Sequence, residues 1–226
     1  ELQDWVENLL EKKVKEFQAQ AAWAVVLRPE NSEVLAMAGY PSFDPNRALE
    51  FSPVQRRNFN LHNVYESGSV MKAITVGGAL EQKVVKPNTV INTENGSFYI
   101  GKRKIKEADR KHAFPQLTVS EILRHSSNIG TAKIALKMKD KNLHFYLQQF
   151  GFKQKTGIGL PGESRGILSS PPWRDHLTAN ISFGHGVAVT ALQVANAYAA
   201  IANGGVLNRP FICLLYTSDA ADERSC

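Results

Sequence analysis

The stretch YESGSVMKAITVGGAL, residues 65–80, joins a turn to a run of small and apolar residues whose one cation is Lys72, three residues after Ser69. The apolar residues recur at helical spacing and predict a buried helix that begins at Ser69. Its expected core residues are Val70, Met71, Ala73, Ile74, Val76, Ala79 and Leu80. A lysine on such a helix has no polar face on which to lie, so its presence requires a chemical explanation.

Ser69 and Lys72 have the spacing of a nucleophile and its base. Residues three apart on a helix share a face, so the lysine amine can reach the serine hydroxyl. Apolar surroundings disfavour the charged amine and lower its pKa, and a neutral amine can take the hydroxyl proton as the oxygen attacks a carbonyl. The Ser69 N–H at the helix start would face the oxyanion, and Gly68 leaves that approach open. The alternative is a packing lysine, because about one Ser-x-x-Lys arises by chance in a chain of this size.

A second polar group lies in HSSNIG, residues 125–130, at the junction of two predicted helices. The Ser126 hydroxyl could relay a proton there, and the Asn128 amide could hold a substrate amide. The alternative is that residues 126–128 only cap the following helix. His185, in SFGHG, is interpreted as a packing or hydrogen-bonding residue, since the chemistry already has a base.

Composition narrows the class of protein. The chain has 226 residues, 43% of them hydrophobic, which is enough for a sizeable core. Its net charge is +6, but the basic residues are scattered, so a nucleic-acid partner is not expected. Neither a Cys/His cluster nor a phosphate loop is present, so no metal or organic cofactor is implied. The sequence also lacks a run of apolar residues long enough to be a transmembrane helix.

The element pattern predicts a mixed α/β fold. An amphipathic helix over residues 2–18, with Leu2, Trp5, Val6, Leu9, Leu10 and Val14 on one stripe, precedes a β-hairpin made by AAWAVVLR and EVLAMAG. NGSFYIGKRKIKEA predicts a small exposed hairpin. The later part of the chain is mostly helical, in TVSEILRHSS, NIGTAKIALKM, NLHFYLQQFG and TALQVANAYAAIANGG.

SVMK (residues 69–72) paired with SSN (126–128) resembles the first two motifs of the transpeptidase domain of class B penicillin-binding proteins, especially the cell-division type. Three further segments are similar to that family: EVLAMAGYPSFDPN, FGFKQKTGIGLPGE and SFGHGVAVTALQVANAYAAIANGG. The resemblance covers residues 1–212. It implies the transpeptidase fold shared with serine β-lactamases, here with a helical subdomain and an incomplete antiparallel sheet.

The chain departs from the family pattern twice. Ser67 stands where the family usually has proline in YEPGS, which should loosen the turn and leave the nucleophile in place. The family's third motif, a Lys-Thr-Gly on a strand beside the active site, does not follow SFGHG here. The string Lys155-Thr156-Gly157 precedes SFGHG and is interpreted as a decoy.

The resemblance implies a peptidoglycan D,D-transpeptidase. Ser69 would attack D-Ala-D-Ala stem peptides with Lys72 as base, Ser126 would carry the proton to the leaving amine, and Asn128 would hold the substrate backbone. Implied partners are stem peptides and their lipid-linked precursor, β-lactams as inhibitors, a membrane glycan polymerase and division proteins. The implied location is the periplasmic face of the inner membrane, with an N-terminal anchor helix upstream of Glu1. The alternatives are a β-lactam hydrolase or sensor of the same fold, and a non-catalytic division scaffold.

The last 14 residues, CLLYTSDAADERSC, hold both cysteines and resemble a translated sequencing adapter. The expected organisation is therefore a partial transpeptidase domain over residues 1–212 and a non-native, disordered tail over 213–226. Without the third motif, this chain by itself is expected to be inactive or very slow.

Overall fold

A computed structural model of the chain describes residues 1–109, 111 and 113–212. The helices are α1 (Leu2–Phe17), α2 (Phe59–His62), α3 (Met71–Glu81), α4 (Val119–Arg124), α5 (Asn128–Met138), α6 (Asp140–Gln149), α7 (Asp175–Ser182) and α8 (Ala191–Ala202). The strands are β1 (Ala22–Arg28), β2 (Glu33–Tyr40), β3 (Tyr65–Glu66), β4 (Val90–Asn92), β5 (Ser97–Ile100), β6 (Arg103–Lys106), β7 (Gln116–Thr118) and β8 (Ala188–Val189). Short 3-10 turns cover Pro45–Glu50, Gly68–Val70 and Glu94–Gly96. The expected tail, 213–226, lies outside the described residues.

The chain divides into two compact units. Of the described residues, the first unit contains 1–63, 155–165 and 190–212, and the second contains those within 64–154 and 166–189. The described strands pair antiparallel in four two-stranded sheets, β1–β2, β3–β8, β4–β7 and β5–β6. None of the described helices has the length and hydropathy needed to cross a membrane.

In the first unit, α1 packs on the hairpin of β1 and β2, as the sequence predicts. The core between them is small: Val6, Ala36 and Ala38 are buried together. The predicted stripe of α1 is only partly buried, since Trp5 is 61% exposed. Phe17, in the last turn of the same helix, is 72% exposed.

In the second unit, α3, α4 and α5 pack around the small sheet of β4 and β7. Their shared core consists of Val76, Ala79, Val85, Ile91, Leu117, Val119, Ile122, Ile134 and Met138. The small residues of α3 allow neighbouring helices to approach closely, because a Cβ on Gly78 would lie 2.7 Å from the Tyr146 ring of α6. This packing encloses the buried face of α3, from whose first turn Lys72 projects.

The hairpin of β5 and β6 is present, but the prediction that it is exposed was wrong for one of its faces. Ile105 is buried against Ile129 of α5 and Ala179 of α7, and Phe98 and Ile100 pack on the same cluster. Strand alternation places these apolar side chains on one face and the lysines on the other. The hairpin therefore lies against the start of α5, next to the Ser126–Asn128 segment.

Candidate active site

The nucleophile candidate Ser69 lies in a 3-10 turn, Gly68–Val70, and the α-helix begins at Met71 rather than at Ser69 as predicted. The turn has a physical cause, since Gly68 takes a left-handed φ of 59°. The Ser69 side chain is exposed, and so is Val70, which was predicted to be in the core. Ser69 sits in the first turn of this helical segment, where backbone N–H groups have no acceptor within the helix. The hydroxyl is thus open to a substrate.

Lys72 is buried, with 2% of its surface exposed, in the first turn of α3. Its Nζ donates hydrogen bonds to the Ser126 carbonyl oxygen, at 2.5 Å, and to the Ser126 Oγ, at 2.9 Å. The sequence suggested Ser69 as the partner of the amine. Within the described chain the Ser69 hydroxyl has no hydrogen bond, so this structure joins Lys72 to Ser126 and leaves Ser69 free one turn earlier.

The environment of Lys72 shifts its protonation equilibrium toward the neutral amine. Burial lowers its pKa to about 8, and the negative charge of Glu107 partly opposes this effect. A neutral amine has two N–H groups and one lone pair. The two bonds to Ser126 need two donors, which the neutral amine supplies, and in that form its lone pair can accept a proton.

The three residues of the Ser126–Asn128 segment have different hydrogen-bond partners. Ser127, which is fully buried, caps α5 by accepting a hydrogen bond from the Gly130 N–H at 2.9 Å. The capping interpretation therefore applies to Ser127 and not to its neighbours. Ser126 faces Lys72, and the Asn128 Nδ2 donates to the Lys106 carbonyl at 3.0 Å. The Asn128 amide oxygen and the Ser126 hydroxyl hydrogen stay available to a substrate.

Glu107 is a residue at this site that the sequence analysis missed. Its carboxylate accepts hydrogen bonds from the Ser127 hydroxyl at 2.6 Å, the Asn128 N–H at 2.6 Å and the Ile129 N–H at 3.4 Å. The one sequence signal was an acidic residue at the end of the basic stretch KRKIKE, immediately after β6.

The turn before Ser69 is hydrogen-bonded to the SFGHG segment. The Glu66 carboxylate pairs with His185 Nδ1 at 2.9 Å and accepts from the Gly186 N–H at 2.7 Å, and these contacts lower its pKa. The Gly68 N–H donates to the Gly184 carbonyl at 3.3 Å. A Cβ on Gly184 would overlap the Gly68 carbonyl oxygen, so glycine is required there. His185 thus has a hydrogen-bonding role, and Glu66 and Gly184 are further residues that the sequence analysis missed.

Lys155-Thr156-Gly157 lies in a turn of the first unit and not on a strand. The Thr156 hydroxyl donates to the Glu163 carboxylate at 2.6 Å, and the Gly157 carbonyl accepts from the Arg209 side chain. These contacts give the segment a structural role. Elsewhere in the described chain, no group of three or more His, Cys, Asp or Glu side chains is arranged to hold a metal ion.

Ser67 is compatible with the backbone that proline would adopt. Its φ is −70°, and its hydroxyl is buried with no hydrogen-bond partner among the described residues. The departure from the family's proline therefore leaves the turn before Ser69 in a proline-like conformation.

Comparison with known proteins places the chain in a family. Residues 22–221 match the family model of the penicillin-binding protein transpeptidase domain. A probable peptidoglycan D,D-transpeptidase, PbpC of Pseudomonas aeruginosa, is 35% identical over 88% of the chain and 35% of its own length. The peptidoglycan D,D-transpeptidase FtsI of Escherichia coli K12 is 36% identical over 91% of the chain and 34% of its own length. The chain therefore spans about one third of the length of these curated relatives.

A solved structure agrees with the fold. The transpeptidase domain of Burkholderia pseudomallei penicillin-binding protein 3 superposes with a TM-score of 0.83 at 34% identity, over 96% of this chain and 60% of that one. The predicted mixed α/β fold of the transpeptidase type is confirmed. The Ser69 turn, the buried lysine and the Ser126–Asn128 segment lie on that fold, and the chain belongs to the penicillin-binding protein transpeptidase family.

Proposed function

We propose that this chain carries the acyl-transfer site of a peptidoglycan D,D-transpeptidase. The observation that supports the proposal is the buried Lys72 amine, hydrogen-bonded twice to Ser126 and one turn away from the exposed Ser69 hydroxyl. A packing lysine would need no such arrangement, whereas a serine nucleophile needs a neutral base beside it.

In the proposed first step, the Ser69 Oγ attacks the carbonyl carbon between two D-alanines while its proton passes to the lone pair of Lys72. Backbone N–H groups at the helix start stabilise the oxyanion. The C–N bond then breaks, and the leaving amine takes a proton from the Ser126 hydroxyl, which Lys72 reprotonates. D-alanine departs and an ester on Ser69 remains.

In the second step, the amine of a neighbouring stem peptide attacks the ester. The C–O bond to Ser69 breaks, the proton of the attacking amine returns to Ser69 through Lys72, and a new amide joins the two stem peptides. Asn128 would orient the substrate backbone through its free amide oxygen. The protein's own groups thus supply the nucleophile, the base and the proton relay.

The wider setting is also a proposal. The relatives are peptidoglycan transpeptidases by name, which supports stem peptides and their lipid-linked precursor as substrates, and β-lactams as mimics of the scissile carbonyl. Such chemistry belongs at the periplasmic face of the inner membrane, where an N-terminal helix would anchor the protein. A membrane glycan polymerase and division proteins are the proposed partners, on the resemblance to the cell-division type.

The test is covalent labelling of the full-length gene product with a fluorescent penicillin. Wild-type protein should be labelled on Ser69, and Ser69→Ala should lose the label. Ser67→Ala is the matched control, because it removes a hydroxyl from the same turn that has no partner and should keep the label. Labelling that survives Ser69→Ala would refute the assignment. A label lost by hydrolysis within seconds would favour the β-lactam hydrolase instead.

A further inference from the structure

Glu107 holds the segment at the start of α5, although it lies on none of the recognised motifs. It follows β6 at the end of the hairpin, and its two carboxylate oxygens accept from Ser127 and from the backbone N–H groups of Asn128 and Ile129. The preceding residue, Lys106, holds the Asn128 side chain through its carbonyl. One hairpin end therefore fixes both the main chain and the side chain of the Ser126–Asn128 segment.

The contacts of Glu107 stabilise an unfavourable backbone conformation at Ser126. Its φ of 54° is left-handed, which is unfavourable for a residue other than glycine and persists only where the surroundings impose it. In that conformation the Ser126 carbonyl and hydroxyl both face the Lys72 amine. The residues immediately after Ser126 are the ones that Glu107 holds, so loss of its bonds would release the segment toward an ordinary conformation.

Glu107 also acts on the base electrostatically. Its negative charge favours the protonated form of Lys72 and so opposes the lowering of the pKa by burial. The same charge is favourable at the start of α5, an 11-residue helix.

We infer that Glu107 is a positioning residue of the acyl-transfer site: its carboxylate holds Ser126 and Asn128 in the geometry that Lys72 and the substrate require. The inference rests on the proposed function, since it assigns a role within that same site. It differs from a purely structural helix cap, because a cap would contribute to folding and leave the protonation of Lys72 unchanged.

The experiment measures the acylation rate of the full-length gene product by penicillin as a function of pH, for wild type, Glu107→Gln and Asp109→Asn. Glu107→Gln removes the charge and one strong acceptor, so the plateau rate should fall about 10- to 100-fold, the cost of misplacing reacting groups by about 1 Å. The rising limb of its pH profile should move to lower pH, because the pKa of Lys72 is no longer raised by the carboxylate. Asp109→Asn is the control: it removes the same charge two residues later, where the carboxylate accepts from the Lys111 N–H.

The outcomes separate the two proposals. Absence of label on wild-type Ser69 would refute the proposed function. A second outcome concerns Glu107 alone. If the wild type is labelled on Ser69 and Glu107→Gln keeps either the wild-type plateau of the acylation rate or the wild-type pH at which that rate rises, the role of Glu107 is overturned. If Glu107→Gln gives no cooperative unfolding transition, Ser127→Ala replaces it, since it removes one partner and keeps the charge. In Ser127→Ala the plateau of the acylation rate should fall, while the pH at which the rate rises should stay that of the wild type. A plateau equal to that of the wild type would overturn the inference.

Discussion

Lys72 is a buried amine, with 2% of its surface exposed. A buried ammonium without a close counter-ion is costly, and this cost appears as a lowered pKa of the amine. Glu107 is the carboxylate that acts on Lys72, yet its hydrogen bonds go to Ser127, Asn128 and Ile129. The amine is thus left with Ser126 as its hydrogen-bond partner and with a pKa of about 8.

This protonation equilibrium predicts the pH dependence of acylation. The neutral amine is the reactive form, so the rate should rise about tenfold per pH unit below pH 8 and level off above it, since the pKa of Lys72 is lowered to about 8. The measurement is the acylation rate by penicillin between pH 5.5 and 9.5. A rate that is flat over this range would contradict a titrating Lys72 base.

Lys72→Arg tests the base without removing the positive charge. A guanidinium stays protonated and cannot accept the Ser69 proton, so acylation should fall by about 10² to 10⁴. Lys155→Ala is the comparison, because it removes a lysine from an exposed turn and should change the rate less than about threefold. Acylation near the wild-type rate in Lys72→Arg would make Lys72 a packing residue. An equal loss of acylation rate in Lys155→Ala would indicate that Lys155-Thr156-Gly157 is the third motif.

At the residue scale the sequence offered candidates for the reactive groups, which stay predictions, and did not indicate the residues that hold them. Ser69, Lys72, Ser126 and Asn128 stand in short motifs whose spacing is itself the signal. Glu107 reaches its partners over about 20 positions of chain, and Glu66 reaches His185 over 119. Such pairings depend on how the hairpin and loops fold back, which no local pattern in one sequence contains.

At the element scale, α3 packs closely against α6. It carries Gly77 and Gly78 in its interior, where glycine is normally unfavourable by roughly 0.5–1 kcal/mol relative to alanine. The two glycines differ in their surroundings. A Cβ on Gly78 would lie 2.7 Å from the Tyr146 ring, whereas a Cβ on Gly77 would have its nearest neighbour, Phe150, at 4.0 Å.

This difference predicts opposite effects on stability. Gly77→Ala should raise the free energy of unfolding by about 0.5–1 kcal/mol, because the helix gains propensity and nothing clashes. Gly78→Ala should lower it by about 1–3 kcal/mol, because the Tyr146 ring must shift at the point where α6 packs on α3. Chemical denaturation of both variants provides the measurement. If Gly78→Ala were as stabilising as Gly77→Ala, the close approach of α3 and α6 would be refuted.

The sequence predicted the long, periodic elements well and the short ones poorly. The first helix, the β1–β2 hairpin and the α5, α6 and α8 helices follow from apolar periodicity. The two-residue strands β3 and β8 and the eight-residue α7 are too short to show a period. The start of α3 was misplaced, because the backbone at Gly68 is fixed by the Gly184 carbonyl, which lies more than a hundred residues away in sequence.

At the scale of the whole molecule, the β1–β2 sheet of the first unit has two described strands. The β2 backbone also makes other contacts: the Gln3 side chain bonds both the N–H and the carbonyl of Met37, and the Val34 N–H donates to the Phe211 carbonyl at 2.8 Å. A two-stranded hairpin alone is marginally stable. The unit therefore depends on α1 and α8, which pack against the hairpin.

These features predict how residues 1–226 behave when expressed alone, compared with the full-length gene product. Within these residues, no Lys-Thr-Gly follows SFGHG, and the family resemblance assigns to that motif one wall of the site and part of the oxyanion hole. Loss of one such donor costs about 10² to 10³ in rate, so the chain alone should be labelled by penicillin at least about 100-fold more slowly. Its soluble yield should be low and its thermal transition broad, because few elements pack against the β1–β2 sheet.

Soluble yield, thermal unfolding and labelling rate are measured on both proteins side by side. A sharp transition in residues 1–226, together with labelling at the full-length rate, would mean that Ser69, Lys72, Ser126 and Asn128 suffice for acylation on the scaffold described.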